Sequence, residues 1–361
     1  MPNIPLVDVR AQYAPLLPEL KERLAEVLEA GVFILGLNVK AFEEEAAYFL
    51  GVPEAIGVAN GTDALVLVLD ALGVGPGDEV ICPAFTFYAT AEAIARRGAT
   101  PVFADVDPVT LNLDPEQVGA RITRRTKAII PVHLFGRTAA LAELGQLGPP
   151  VIEDAAQAFG GRGVASTGVA STFSFFPTKN LFGLGDGGLV AARDEELAAR
   201  VRMLRFHGSR DKVAFEYVGY NSRLDEIQAA ALRLFLPRLD AWNRARREAA
   251  ARYRELGLGE LCELPVDEPG HVYHVYVVRT PERDRIARAL DAAGIAHASY
   301  YVTPLHLQPA LRYLGYERGS LPETERASDD NLALPLWAGL DAATQERVVS
   351  VVREAAAVRA A

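Results

Sequence analysis

Cysteine is nearly absent. Only Cys82 and Cys262 occur in 361 residues, which excludes a disulfide framework and a cysteine metal centre; two isolated, buried thiols and a reducing cytoplasm are expected. Basic charge is also short: 37 Lys and Arg against 47 Asp and Glu leave a net charge of −10. The basic residues stand singly or in pairs such as Arg124-Arg125 and Arg246-Arg247. Such pairs suit solvated helix faces better than a phosphate-tracking stripe, so nucleic acid is not an expected partner. No apolar run reaches the roughly 18 residues of a membrane span, and "MPNIPLVDVRAQY" has no basic segment leading into an apolar one. An unexported, soluble protein with no membrane partner is expected.

What is present is enough apolar material, 50% of the residues, for a large core. Leu17, Leu20, Leu24, Val27 and Leu28 fall at helical spacing and stop at Gly31, so an amphipathic helix with a glycine C-cap is predicted. A second helix follows around "VKAFEEEAAYFLG", then "AIGVANGTDALVLVLDALG" reads as strand, Asn60-Gly61 turn and helix. From "DEVICPAF" to "PVIEDAA", short continuous apolar runs alternate with helical segments such as "DPEQVGARI" and "AALAELGQLG". Continuous runs fit a parallel sheet covered on both faces, and the fold class is doubly wound α/β. Pro237 interrupts the long helical stretch around "LRLFLPRLDAW", a kink and a natural domain junction. Two domains follow: residues 1–240, with the mostly parallel sheet, and a smaller α+β domain over residues 241–361, in which "HVYHVYVVR" alternates like a half-buried strand.

The run "FSFFPTKNLFGLGDGG" raises two readings. Gly183, Gly185 and Gly188 are spaced as in a dinucleotide-binding loop, but that fingerprint needs a helix directly after the glycines. Here "LVAAR" follows and reads as a strand, so a tight crossing between two strands is favoured over a nicotinamide dehydrogenase. The other reading concerns Lys179. Buried among Phe175, Phe176 and Phe182, its amine would be desolvated and its pKa lowered, as a Schiff-base nucleophile requires.

Other segments supply partners. "EDAAQAFGG" ends an apolar strand, where a carboxylate can keep a pyridine nitrogen protonated. "NGTDAL" offers backbone N–H groups at a helix start for a phosphate, and "PAFTFYAT" offers Phe87 as a stacking face. Each has a bland alternative: Asp154 as a helix cap, Gly61-Thr62 as a turn, Phe87 as core. Together they form one constellation.

The ordered set "FILGLNVKAFEEE", "VANGTDAL", "PAFTFYATAEAI", "VIEDAAQAFGG", "FSFFPTKNL", "GDGG", "HGSR", "VGYNSRLDEIQAA" and "TPLHLQP" resembles, over nearly the whole chain, the DegT/DnrJ/EryC1/StrS family of pyridoxal-phosphate-dependent nucleotide-sugar aminotransferases. The resemblance implies an aspartate-aminotransferase-like fold (type I pyridoxal-phosphate fold) and a homodimer with shared active sites. It also implies pyridoxal 5'-phosphate as cofactor, cycling through pyridoxamine phosphate, with no metal. By the same resemblance, Lys179 matches the lysine that holds the cofactor covalently and shuttles the proton. Asp154 matches the partner of the pyridine nitrogen, and Gln157 the contact to the phenolic oxygen. Phe87 matches the stacking aromatic, Gly61, Thr62 and Ser174 the phosphate ligands, and Asn221 an asparagine reaching the phosphate from the neighbouring subunit. Asp63 and Glu153 lie in the same motifs, as do His133, Arg205, His207 and Arg210, and His306 in "PLH" is the candidate contact to the sugar.

The implied reaction takes an amino group from glutamate and delivers it to a nucleotide-linked keto-sugar. "NSRLDEIQAA", "LDAWNRARR" and "TPLHLQP" are more similar to members acting on 3-keto sugars, with 4-keto sugars the alternative. A dehydrating branch carries histidine at the lysine position, which Lys179 argues against. A non-catalytic regulator of the same fold is the remaining rival, opposed by the intact Lys179 and Asp154.

Overall fold

The computed structural model describes residues 4–357. Strands β1 (Glu54–Val58), β2 (Glu79–Pro83), β3 (Thr100–Ala104), β4 (Thr126–Ile129), β5 (Ile152–Asp154), β6 (Ala170–Ser174) and β7 (Gly188–Ala192) build the main sheet. Two hydrogen-bonded groups, β1-β7-β6-β5 and β3-β2-β4, are joined by parallel bridges from Ile129 to Val151 and from Val132 to Asp154. The spatial order is therefore β1-β7-β6-β5-β4-β2-β3. β7 alone runs antiparallel to its neighbours β1 and β6. The glycine loop is thus the crossing between β6 and β7, as the apolar run after Gly188 implies, and no helix opens there.

Both faces of this sheet are covered, which explains strands that are apolar throughout. Ile56, Val58, Val80, Cys82, Ile152 and Val190 pack with the helices Gly61–Ala71 and Glu195–Leu204 on one side. On the other, Ala55, Phe173, Leu189 and Ala191 meet Val39, Phe42, Leu232 and Phe235. Burying a side chain of this size contributes about 1.5–3 kcal/mol, so both layers hold the sheet edge in place. Cys82 and Cys262 are free and buried.

The amphipathic helix spans Leu17–Ala30 and ends on Gly31 at φ 65°. The segments expected as helices after β3 and β4 are short, Pro115–Gly119 and Leu141–Gly145. Pro237 lies in a 3-10 turn, Leu236–Arg238, between the helices Glu226–Phe235 and Leu239–Glu255; without its N–H it cannot continue the ladder. Beyond it, β8 (Tyr276–Arg279) pairs antiparallel with β9 (Asn331–Leu334), flanked by the helices Arg283–Ala292 and Ala342–Ala357.

The expectation of a half-buried strand in "HVYHVYVVR" is corrected: His271 to Arg279 are all buried. Alternation there sorts side chains between two cores instead of between core and water. Val275 and Val277 face Phe85, Val106 and Phe135, while Tyr276 and Val278 face Tyr253, Ile286 and Val352. The chain's beginning also joins this part, with Ile4 bridged in parallel to Ile295. Among the described residues, no helix is long and apolar enough to cross a membrane.

Candidate active site

The parallel strands of the main sheet end at one edge, where open α/β sheets take their ligands. Asn60-Gly61 follows β1, Phe87 follows β2, Asp154 ends β5 and Ser174 ends β6. β7 starts at the same edge, with Gly188 opposite both Val58 and Ser174.

That pairing accounts for two of the glycines. A Cβ on Gly188 would lie 2.5 Å from the carbonyl of Asn60, and one on Gly61 would lie 2.8 Å from Ser174 Cβ. The backbone of the β1 turn therefore sits directly against the β6–β7 crossing. Asn60 caps the helix Gly61–Ala71 by accepting from Asp63 N–H at 2.8 Å, which leaves the N–H groups of Gly61 and Thr62 without an intrahelical acceptor. A phosphate suits that cradle, with Thr62 and Ser174 both partly exposed beside it.

Asp154 is buried, and its Oδ2 accepts the Thr90 hydroxyl at 2.8 Å while Ala156 N–H reaches Oδ1 at 3.3 Å. Burial pushes its pKa up, only partly offset by Thr90, Ala156 and the charge of Lys179. Lys179 shows the complementary effect: desolvation pulls its amine down to about 8, with Asp154 acting the other way. The lysine is half-buried. Its surroundings differ in one respect from the sequence expectation: Phe175 and Phe182 are buried but Phe176 is 50% exposed. Turn geometry explains this, since Phe176 begins the turn closed by Lys179 N–H on its carbonyl at 2.8 Å.

Gln157 is held at both ends of its amide. Its Oε1 accepts from Phe135 N–H at 2.7 Å and its Nε2 donates to the Tyr301 hydroxyl at 3.0 Å. Tyr301 in turn lies 5.8–6.5 Å, ring to ring, from Phe85, Phe87 and Phe135. Phe87 is 60% exposed, an available flat face and not a core residue. Asn221 is exposed.

His306 is buried inside the protein, with Nε2 3.1 Å from Glu325 Oε1 and Nδ1 unpaired. His133 and Glu153 are buried as well: Ala139 N–H donates to His133 Nδ1 at 3.0 Å, so Nε2 carries the proton and donates to Glu153 Oε2. Arg205 donates to Glu43 and to the Gly57 carbonyl, His207 donates its N–H to Tyr220 O, and Arg210 pairs with Glu216 at 3.6 Å near the surface.

Three site groups were missed in the sequence. Thr90 lies one helical turn after Phe87, and that i, i+3 spacing in "PAFTFYAT" was a usable signal. Tyr301 carries no local signal. His274, inside the segment read only as a strand, is buried with its Nδ1 unpaired. Burial, with the charges of Lys179 and Arg246, holds its pKa well below the ordinary histidine range.

The donor set fits a flat phosphorylated pyridine: a glycine-lined N–H cradle, a desolvated carboxylate, an amine of lowered pKa and an exposed aromatic face. Comparison with known proteins agrees. The DegT/DnrJ/EryC1/StrS aminotransferase family matches residues 16–353. The chain is 48% identical to a pleiotropic regulatory protein of Geobacillus stearothermophilus, covering 98% of each chain. It is 45% identical to the UDP-N-acetyl-3-dehydro-alpha-D-glucosamine 3-aminotransferase of Acidithiobacillus ferrooxidans, covering 97% of each. The crystal structure of DesV from S. venezuelae superimposes with a TM-score of 0.95 at 44% identity, covering 99% of both chains. The chain belongs to the DegT/DnrJ/EryC1/StrS aminotransferase family and is a pyridoxal-phosphate-dependent aminotransferase.

Proposed function

We propose that the protein transfers an amino group from glutamate to carbon 3 of a nucleotide-linked keto-hexose. The observation that carries the reaction class is the convergence of Lys179, Asp154 and the Gly61-Thr62 cradle at one edge of the sheet. The 3-keto preference rests on the motif resemblance and on the activity for which the Acidithiobacillus relative is named.

When bound, pyridoxal phosphate supplies an electron-withdrawing ring that accepts the charge left by a departing α-proton. The protein's share is positioning and proton transfer. Gly61 and Thr62 N–H, with the Thr62 and Ser174 hydroxyls, would bind the phosphate. Asp154 Oδ would keep the ring nitrogen protonated, and that positive partner would offset the burial that raises the carboxyl's pKa. Phe87 would cover the ring, and Gln157 would contact the phenolic oxygen. Lys179 Nζ would hold the cofactor and, when free, serve as the base and acid that moves the donor's α-proton. In the cofactor-free protein, desolvation brings its pKa down to about 8, toward neutral pH. The chain works as a homodimer, with Asn221 reaching the neighbouring subunit's phosphate. Residues 1–240 carry the cofactor site and residues 241–361 form the smaller domain, onto which the segment around Ile4 packs.

The test is a transamination screen with 3-keto and 4-keto nucleotide sugars and glutamate, reading product regiochemistry by NMR. Amination at carbon 3 is expected; amination of 4-keto substrates alone overturns the assignment.

A further inference from the structure

We infer that Tyr220 is a positioning residue that holds Asn221 in place for the cofactor phosphate, through a closed hydrogen-bonded triangle with Asp70 and Arg97. The inference rests on the reading of Asn221 given above. Tyr220 O–H donates to Asp70 Oδ2 at 2.7 Å, Arg97 Nη1 donates to Tyr220 Oη at 2.9 Å, and Arg97 Nη1 lies 2.8 Å from Asp70 Oδ2. Arg97 is tied further by its Nε on the Val74 carbonyl at 3.3 Å. Each member thus has two partners in the triangle, and the phenol cannot rotate without breaking a charge-assisted bond.

The triangle joins three elements that each lead to the site from a distance. Asp70 lies near the end of the helix Gly61–Ala71, whose start is the phosphate cradle. Arg97 caps the helix Ala89–Arg96, which carries Thr90. Tyr220 immediately precedes Asn221. From Gly61 to Asp70 the helix rises about 14 Å, so the Tyr220 hydroxyl acts at the far end of the helix and not on the cofactor.

Asn221 is fixed from the other side too. Ser222 is buried, its Oγ accepts from Ala59 N–H at 3.1 Å, and its own N–H donates to Arg205 O at 3.0 Å. Tyr220 N–H donates to Leu204 O at 2.7 Å, and Phe206 bridges Asn221. A single exposed side chain is therefore held between two anchored neighbours. A general scaffold role would require only the backbone bonds. The side-chain triangle adds a fixed direction for the residue that follows.

The test strips the full-length protein of cofactor and titrates it with pyridoxal phosphate, following fluorescence quenching. Melting of the loaded proteins is measured separately. Asn221→Ala and Tyr220→Phe are each expected to raise Kd by about three- to tenfold, and the double variant no further than the larger single, the mark of two residues acting through one contact. Asp70→Asn, which breaks the same triangle from another corner, repeats the test should Tyr220→Phe fold poorly. Unchanged Kd for the triangle variants beside a weakened Asn221→Ala overturns the inference and leaves the Asn221 reading standing. Additive losses overturn it equally, making Tyr220 independent of Asn221. Unchanged Kd for Asn221→Ala overturns the reading of Asn221, and the inference with it.

Discussion

Glu153 and Asp154 are consecutive carboxylates on β5, both buried, yet they are opposites. Glu153 accepts from Ala165, Thr167 and Gly168 N–H and from His133 Nε2. Burial alone would raise its pKa, but those bonds outweigh it and the carboxyl lies below its ordinary value. Asp154 has Thr90 and one long backbone bond, and its pKa lies above. Successive side chains of a strand point to opposite faces, so one acid is locked into the scaffold while the other faces the site with unmet demand for a positive partner. A buried carboxylate whose bonds are complete is structural; one left short is available for chemistry.

The sharpest way to break that contrast is to remove the amine that faces Asp154. Lys179→Ala should lower turnover by at least about ten-thousandfold while the protein stays folded, measured by steady-state assay without added amines. Asp154→Asn ranks next, with a loss of about a hundred- to a thousandfold in the half-reaction with glutamate and little change in melting. Glu153→Gln should do the reverse. Whichever way the new amide turns, its NH2 faces two N–H donors, Thr167 and Gly168 on one side or His133 and Ala165 on the other. That costs about 3 kcal/mol of stability, read by denaturant unfolding, with the rate per folded molecule kept. Thr90→Val removes the one strong bond to Asp154 and should cost about tenfold in rate.

A further effect concerns pH. Folding lowers the Lys179 pKa from 10.5 to about 8, so below pH 8 the cofactor-free protein carries a charged amine that the unfolded chain solvates better. That destabilisation is full at neutral pH and fades as pH rises from about 8 through 10.5. Cofactor-free Lys179→Met should therefore melt above the cofactor-free parent at pH 7, with the gap closing toward pH 10.5. A gap independent of pH would mean that Lys179 is not buried as a cation.

Much of the site was legible because its chemistry uses residues in fixed local patterns. Lys179 stands alone in an apolar run, Gly61 and Thr62 start a helix after a strand, and Asp154 ends an apolar strand. The strand after Gly188 is legible for the same reason. What escaped depends on contacts distant in sequence. Tyr301 meets Gln157 across 144 residues, and nothing local marks it. His306 in "PLH" meets Glu325 across 19 residues. The alternation in "HVYHVYVVR" was real, and its meaning depended on a second core that no single strand reveals.

The comparison of the two carboxylates is tested most directly by measuring Asp154→Asn and Glu153→Gln side by side, each for its rapid-mixing half-reaction rate with glutamate and its unfolding free energy. A slow, stable Asp154→Asn and a fast, destabilised Glu153→Gln are expected. A near-normal half-reaction in Asp154→Asn, or a stable but slow Glu153→Gln, would contradict that expectation.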